Sequence, residues 1–219
     1  MSSETHNTPM QSDNNRFAWK RVWDVPTRLF HWLLVICVCA AWYLGDNRGF
    51  ETIGWHLYFG YAVGGLVVFR VLWGIIGPTP VRLGALFHGP ASIFTYAKTV
   101  FKRSPSGTPG HNPLGSLSVI AVLLSLSVQV VTGLFAYDDG LFSGGPLSDY
   151  VSEAVILEMN AIHEINAKIL LLLVALHVLA VLFYLAWKRE NLIIAMVTGR
   201  KLVKATDDDR ASGKKGHAS

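Results

Sequence analysis

Four long apolar segments, separated by polar stretches, dominate the hydropathy pattern of this chain. They run from Leu29 to Leu44, Trp55 to Ile76, Leu114 to Tyr137 and Ile162 to Trp187. An α-helix needs about 20 residues to cross the hydrocarbon core of a bilayer, so each segment is close to the required length. The first is short unless its helix begins upstream. The pattern predicts an all-α fold, an integral membrane four-helix bundle.

The composition agrees with a membrane protein. The chain has 219 residues, of which 51% are hydrophobic and 16% charged, and its mean hydropathy is +0.36. A soluble domain is ordinarily less apolar and more charged. The first sixteen residues are polar and lack the apolar core of a signal peptide. We expect disordered tails at residues 1–15 and 205–219, and one membrane domain at residues 16–204.

The distribution of charge predicts the orientation of the bundle. Basic residues cluster before the first segment, between the second and third, and after the fourth, at Arg16, Lys20, Arg21, Arg28, Arg82, Lys98, Lys102, Arg103, Lys188, Arg189, Arg200, Lys201 and Lys204. The opposite side is mainly acidic, with Arg48 and Lys168 as its basic residues. By the positive-inside rule, both termini are expected in the cytoplasm. The pI near 9.1 then reflects topology, and no nucleic-acid partner is expected.

Aromatic and amphipathic positions add detail at the membrane boundaries. The seven tryptophans fall near segment ends, as in an interfacial aromatic belt: Trp19, Trp23, Trp32, Trp42, Trp55, Trp73 and Trp187. The stretches from Ser92 to Arg103 and from Asn191 to Lys204 carry apolar residues at helical spacing beside basic ones. Both predict short interfacial helices on the inner leaflet.

Four histidines lie in or at the edges of the apolar segments. His163 and His177 are fourteen residues apart in the last segment, roughly 21 Å along a helix with a rotation of only about 40°. Oriented by the charge bias, His31 and His177 lie at the inner level, and His56 and His163 at the outer level. Each pair joins two helices. Ionisable side chains are costly in a bilayer, so two matched pairs indicate two stacked cofactors.

Haem iron fits these pairs better than zinc does. Zinc takes four ligands, whereas Cys37 and Cys39 both lie on the first segment and Glu164 is alone. Haem iron needs only two axial ligands, and histidine is a common one. The chain has no C-x-x-C-H sequence for covalent haem attachment. The pairs therefore predict two haem b groups, one held by His31 and His177 and the other by His56 and His163.

Other residues support a cofactor, and each has a structural alternative. Gly60 and Gly64 share the face of His56, where they would leave room for a porphyrin or form a helix-packing notch. Arg70 is fourteen residues after His56, and its guanidinium would bind a haem propionate or extend to the interface.

Further polar residues could serve a quinone. Ser125, Ser127 and Gln129 on the third segment could contact a quinone or bond to neighbouring helices. His111 could line a quinone pocket at the inner face, or it is an ordinary interfacial loop residue.

Several motifs together resemble the bacterial cytochrome b(561)/Ni-Fe-hydrogenase b-type cytochrome family. They are VWDVPTRLFHW from Val22 to Trp32, His56 followed by Gly60, RVLWGIIG from Arg70 to Gly77, GHNP from Gly110 to Pro113, and His163 with His177. The resemblance implies a di-haem cytochrome of a bacterial inner membrane, with His31, His56, His163 and His177 as axial ligands. It also implies electron transfer between quinone and a redox protein, such as a cytochrome c, a hydrogenase or a molybdoenzyme subunit.

We expect a respiratory electron conduit with the lipid bilayer, quinone and a redox protein as its partners. One alternative is a stand-alone superoxide:quinone oxidoreductase, which would need Arg48 and Lys168 to form a positive funnel for the anion. A remote alternative is a histidine-lined metal transporter, although the sequence lacks the carboxylates that usually accompany histidine at transport sites.

Overall fold

A computed structural model of the protein describes residues 17–103 and 110–204. The expected tails at 1–15 and 205–219 lie outside these ranges. The helices are α1 (Val25–Asp46), α2 (Ile53–Ile76), α3 (Pro90–Thr99), α4 (Pro113–Phe135), α5 (Glu153–Ala186) and α6 (Leu192–Thr198). Of these, α1, α2, α4 and α5 are long and apolar enough to cross a membrane. The prediction of an all-α membrane bundle is confirmed.

Side-chain caps and prolines explain where the helices begin. The Asp24 carboxylate accepts a hydrogen bond from the Thr27 amide at 3.0 Å, and Pro26 follows in the first turn of α1. Asn112 caps α4 in the same way through the Gly115 amide at 2.8 Å, with Pro113 next in the chain. Such caps satisfy amides that have no partner inside the helix. The first helix therefore begins upstream of Leu29 and is long enough to span.

The bundle is held together by a small apolar core at mid-height. Neighbouring helices pack in the order α1, α2, α4 and α5. The core consists of Val63 and Val67 of α2, Leu126 of α4 and Leu170 of α5, and Cys37 of α1 packs against it. In each spanning helix, at most 22% of the apolar 18-residue stretch is buried inside the protein. The remaining surface is suited to contact with lipid.

Both ends of the described chain meet on one end of the bundle, which we call the terminal face. Strand β1 (Phe17–Arg21) pairs antiparallel with β4 (Arg200–Lys204). These strands and α6 form a unit that we call the terminal cap. Its core contains Val22, Trp23, Val81, Ala195 and Val203. Sequence reasoning did not predict this sheet, and it placed Trp23 in an interfacial aromatic belt, whereas the residue is buried in the terminal cap.

One predicted interfacial helix has a different end. The stretch from Ser92 contains helix α3, as expected, but the helix predicted from Asn191 to Lys204 ends at Thr198. Gly199 adopts a left-handed conformation with φ of 78°, which terminates α6. The chain then extends into β4, so the prediction of a helix to Lys204 is wrong.

The opposite end of the bundle, which we call the distal face, has a short hairpin. Strand β2 (Tyr137–Asp138) pairs with β3 (Ser143–Gly144). The Asn160 side chain donates to the Tyr137 carbonyl at 2.8 Å and accepts from the Tyr137 amide at 3.1 Å. Asn160 belongs to α5, which begins at Glu153 rather than near Ile162. The acidic loop on this face is therefore shorter than the sequence indicates.

Candidate functional site

The four intramembrane histidines form two groups at different heights. His56 of α2 and His163 of α5 lie near the distal face, and their ring centroids are 6.1 Å apart with the planes at 77°. His31 of α1 and His177 of α5 lie toward the terminal face, close enough to interact electrostatically. Each group thus contains one histidine of α5 and one of a neighbouring helix, and the assignment of each group to one haem stays a prediction.

The tautomer of His56 follows from its hydrogen bond. Its Nδ1 atom lies 2.8 Å from the carbonyl oxygen of Ala41 in α1. A carbonyl only accepts, so Nδ1 carries the proton and donates. The lone pair is left on Nε2, the state of a metal-ligating imidazole with an outer-shell partner.

His163 has an equivalent partner on α4. The Thr132 hydroxyl lies 2.7 Å from the Val128 carbonyl, to which it donates, and 3.1 Å from Nδ1 of His163. Because its proton is already used, the hydroxyl oxygen accepts from Nδ1. The Nε2 lone pair of His163 is therefore free as well.

Two glycines give these rings their space. A Cβ atom on Gly45 of α1 would lie 2.9 Å from Cε1 of His56. A Cβ atom on Gly133 of α4 would lie 3.1 Å from Cε1 of His163. Sequence reasoning missed both glycines and Thr132, because only the packing of helices reveals that they touch the rings.

The distal pair fits two axial ligands of one iron. Metal-to-imidazole bonds of about 2 Å on opposite sides of one metal place the ring centroids about 6 Å apart. The described residues contain no group of three or more His, Cys, Asp or Glu side chains that could hold a metal ion. A group that asks for only two protein ligands, such as haem, therefore suits this site.

The terminal group presents buried polar atoms that have no hydrogen-bond partner among the described residues. They include Nδ1 of His31, Nδ1 of His111 and Nη1 of Arg70. Arg70 is only 4% exposed, and it interacts electrostatically with Asp24 and His111. An unsatisfied buried polar group costs about 1–3 kcal/mol. Thr27 Oγ1 and Ser116 Oγ at the same end have no partner in the described part of the chain either; the imidazole and guanidinium nitrogens fit a bound group that carries both a metal and anionic substituents, as haem does.

A model of the prokaryotic cytochrome b561 family matches residues 22–199. The chain belongs to this family. It is a multi-pass membrane b-type cytochrome that takes part in electron transfer, and its cofactor is haem b.

Relatives named "Probable Ni/Fe-hydrogenase B-type cytochrome subunit" are similar to this cytochrome. The protein of Rhizobium leguminosarum bv. viciae is 21% identical, over 85% of this chain and 90% of the relative. That of Azotobacter chroococcum mcd 1 is 26% identical, over 86% of this chain and 90% of the relative. That of Azotobacter vinelandii is 24% identical over the same shares.

The two glycines predicted to clear space for a porphyrin differ in their surroundings. A Cβ atom on Gly64 would lie 3.1 Å from Val130 of α4, so this glycine contributes to helix packing. A Cβ atom on Gly60 would meet nothing within 4 Å. The role of Gly60 beside a porphyrin stays a prediction.

The polar residues of α4 are used mainly between helices. Asn166 of α5 accepts from the Ser125 hydroxyl at 3.0 Å and donates to the Gln129 side chain at 2.6 Å. Ser127 donates to the Leu123 carbonyl one turn earlier, at 2.8 Å. Ser125 and Gln129 therefore bond to a neighbouring helix, whereas Ser127 bonds within α4, and Asn166 is the partner that sequence reasoning missed.

A cavity of about 630 Å³ opens beside α3 at the terminal face. Its lining includes His88, Ser92, Tyr96, Thr99 and His111. The His111 ring also packs against Trp23, with centroids 4.6 Å apart. Burial, and then the charges of Arg70 and Lys201, lower the pKa of His111 to about 3. This side chain is neutral at physiological pH.

Tyr96, which lines this cavity, belongs to a hydrogen-bonded chain of side chains. The Asn112 amide donates to the Tyr184 hydroxyl at 3.0 Å, and the hydroxyls of Tyr184 and Tyr96 are 2.7 Å apart. A bond that raises the pKa of a phenol is one in which that phenol donates, so Tyr96 donates to the Tyr184 hydroxyl. Burial and the bond to Tyr184 raise the pKa of Tyr96, so it stays protonated.

The two basic residues of the distal face are both paired. Arg48 lies 3.3 Å from the Asp138 carboxylate, and Lys168 lies 2.9 Å from that of Glu164. Their charges are locally compensated, so this geometry gives no support to a positive funnel for superoxide.

Proposed function

We propose that this cytochrome binds two haem b groups and carries electrons between quinone and a redox protein in the inner membrane of a bacterium. When bound, haem b supplies reversible one-electron chemistry at its iron. The protein contributes the ligands, their orientation and the charges around them.

The distal pair carries this proposal. His56 and His163 come from different helices, with their ring centroids 6.1 Å apart. The Nδ1 atom of each ring is occupied, by the Ala41 carbonyl and by the Thr132 hydroxyl respectively. This leaves both Nε2 atoms as the ligands, and the outer-shell bonds hold the rings in place.

His31 and His177 would hold the second haem. The Arg70 guanidinium, buried near this level with Nη1 unpaired, would bind a propionate. A neighbouring cation stabilises the reduced state of the iron relative to the oxidised state, so Arg70 would raise the potential at this site.

Quinone would bind in the cavity beside α3. Tyr96 and His111 both lie on the wall of this cavity, and His111 lies close enough to His177 to interact electrostatically. The site is thus next to the proposed terminal haem ligands. A volume of about 630 Å³ is within the range of sites for small organic ligands.

The redox partner would dock at the distal face, near His56 and His163. The relatives are named as subunits that accompany a Ni/Fe hydrogenase, which favours a hydrogenase over a cytochrome c or a molybdoenzyme subunit as the partner.

Haem content and histidine variants test the assignment. We expect b-type reduced-minus-oxidised spectra and two haems per chain in the purified protein. His56→Ala and His163→Ala should each lose the same haem, so that the haem left in both variants has the same potential. His31→Ala and His177→Ala should each lose the other haem. His6→Ala, outside the described residues, is the control. One haem per chain, or a loss shared by His31→Ala and His56→Ala, would contradict the proposal.

A further inference from the structure

Two arginines face each other on the outer side of the terminal cap. Arg21 in β1 lies directly opposite Arg200 in β4. Opposite residues in an antiparallel pair have Cβ atoms about 4.5–5.5 Å apart and project from the same face of the sheet. Both side chains are exposed, and the described part of the chain supplies neither guanidinium with a carboxylate. Like charges in this position destabilise a strand pair.

The next pair of opposite residues in this sheet is also basic, but one of its charges is neutralised within the protein. Lys20 lies opposite Lys201 on the inner side, where the Lys201 ammonium is 2.7 Å from the Glu190 carboxylate. Both of these charged groups are buried. The fold thus neutralises Lys201 with a carboxylate of its own, whereas no described carboxylate pairs with the outward arginines.

The surroundings of the arginines place such an anion at the membrane surface. Arg21 and Arg200 line a concavity of about 550 Å³ together with Trp19, Ile194 and Thr198. Trp19 is 66% exposed, and α6 next to it exposes Ile194. Exposed tryptophan and an apolar helix face are typical of the boundary between headgroups and acyl chains.

A contact to α1 fixes the height of this concavity. The Arg28 guanidinium, in the first turn of α1, donates to the Val197 carbonyl near the end of α6. The concavity therefore lies beside the point where the first spanning helix begins, where lipid headgroups are expected.

We propose that the concavity between Arg21 and Arg200 binds the headgroup of an anionic phospholipid. Guanidinium groups bind phosphate oxygens in pairs of parallel hydrogen bonds, so one phosphate placed between the two arginines would cancel their repulsion. The apolar side of α6 would lie along the acyl chains. A zwitterionic lipid would be disfavoured, because its ammonium group would meet two cations.

Native mass spectrometry of the haem-loaded protein in neutral detergent tests this site. We expect one retained phosphatidylglycerol per chain, in preference to phosphatidylcholine with the same acyl chains. A basic residue near an anionic membrane contributes roughly fivefold in affinity, so Arg21→Gln/Arg200→Gln should reduce the preference about 30-fold. Lys98→Gln/Lys102→Gln removes the same charge from exposed positions of the terminal face, and this control should keep the preference.

A charge reversal separates lipid binding from folding. Arg200→Glu would form an ion pair with Arg21, so we expect a stably folded cap with no preference for phosphatidylglycerol. Without anionic lipid, Arg21→Gln/Arg200→Gln should unfold at a higher temperature than the wild type, and added phosphatidylglycerol should stabilise only the wild type.

Three results would overturn the proposal. The first is a preference for phosphatidylglycerol that persists in Arg200→Glu. The second is a loss of this preference in Lys98→Gln/Lys102→Gln that equals the loss in the arginine variant. The third is displacement of the lipid by millimolar inorganic phosphate, because that would indicate a site for a free anion.

Discussion

The imidazole of His163 donates from Nδ1 to the hydroxyl of Thr132 across 3.1 Å. The hydroxyl proton is used by the Val128 carbonyl, at 2.7 Å, so this contact favours a proton on Nδ1 and leaves Nε2 available as a ligand. It also ties α5 to α4 at the height where His56 approaches from α2.

Replacing Thr132 by valine tests this contact. The change keeps the shape of the side chain and removes the acceptor, and loss of an outer-shell partner reduces metal affinity by about 10- to 100-fold. We expect faster transfer of haem from Thr132→Val to a haem-scavenging apoprotein, followed in the Soret band. Thr132→Ser retains the hydroxyl and should behave as the wild type. Equal rates for both variants would show that the hydroxyl does not support the ligand.

Gly133→Ala should weaken the binding of the distal haem alone. The new Cβ atom would lie 3.1 Å from Cε1 of His163, so the ring must shift by a few tenths of an ångström, and ring orientation affects ligation. Haem content should fall below that of the wild type, and the terminal haem should keep its potential. Gly65→Ala, whose Cβ would meet nothing within 4 Å, is the matched control. Full haem content in Gly133→Ala would contradict the prediction.

Arg70→Gln should lower the potential of the terminal haem by tens of millivolts. The residue is buried, so its charge acts through a medium of low effective dielectric constant. Redox titration monitored by absorbance should show one shifted and one unchanged component, and Arg70→Lys should restore part of the shift. A shift in the distal component instead would place Arg70 beside the other site.

Stability should depend on pH through His111. Its pKa is lowered to about 3 by burial and nearby cations, whereas an exposed imidazole has a pKa of about 6.5. Between these values the unfolded chain binds a proton that the folded chain does not. The free energy of unfolding therefore falls as the pH falls, by up to about 1.4 kcal/mol per pH unit. Above about pH 6.5, the stabilisation that comes from burying neutral His111 is fully present and no longer changes with pH.

Denaturant unfolding of His111→Gln across this range gives the comparison. The variant should lose stability less steeply than the wild type between about pH 6 and pH 4. His217→Gln, outside the described residues, should follow the wild type. Parallel curves for all three proteins would show that His111 is not buried in its neutral form.

The spanning helices could be predicted because a bilayer imposes a length and a composition on each one. The levels of the histidines followed from helical rise and charge bias, since both act along the sequence. The Gly45 contact with His56 and the Asn166 bonds to Ser125 and Gln129 depend on how helices pack, which no local pattern encodes. Strand β1 was missed because its partner β4 is nearly the whole described chain away.

That pairing has a consequence for how the molecule is assembled. Arg21 is among the first described residues to leave the ribosome and Arg200 is among the last, so the strands meet only after every spanning helix has been synthesised. Contacts between such distant segments form slowly, because a long loop must close first. The distal half of the bundle is complete without these strands. The end of the molecule with His31 and Arg70 is therefore closed last, and a chain that stops before Arg200 has four spanning helices without a cap.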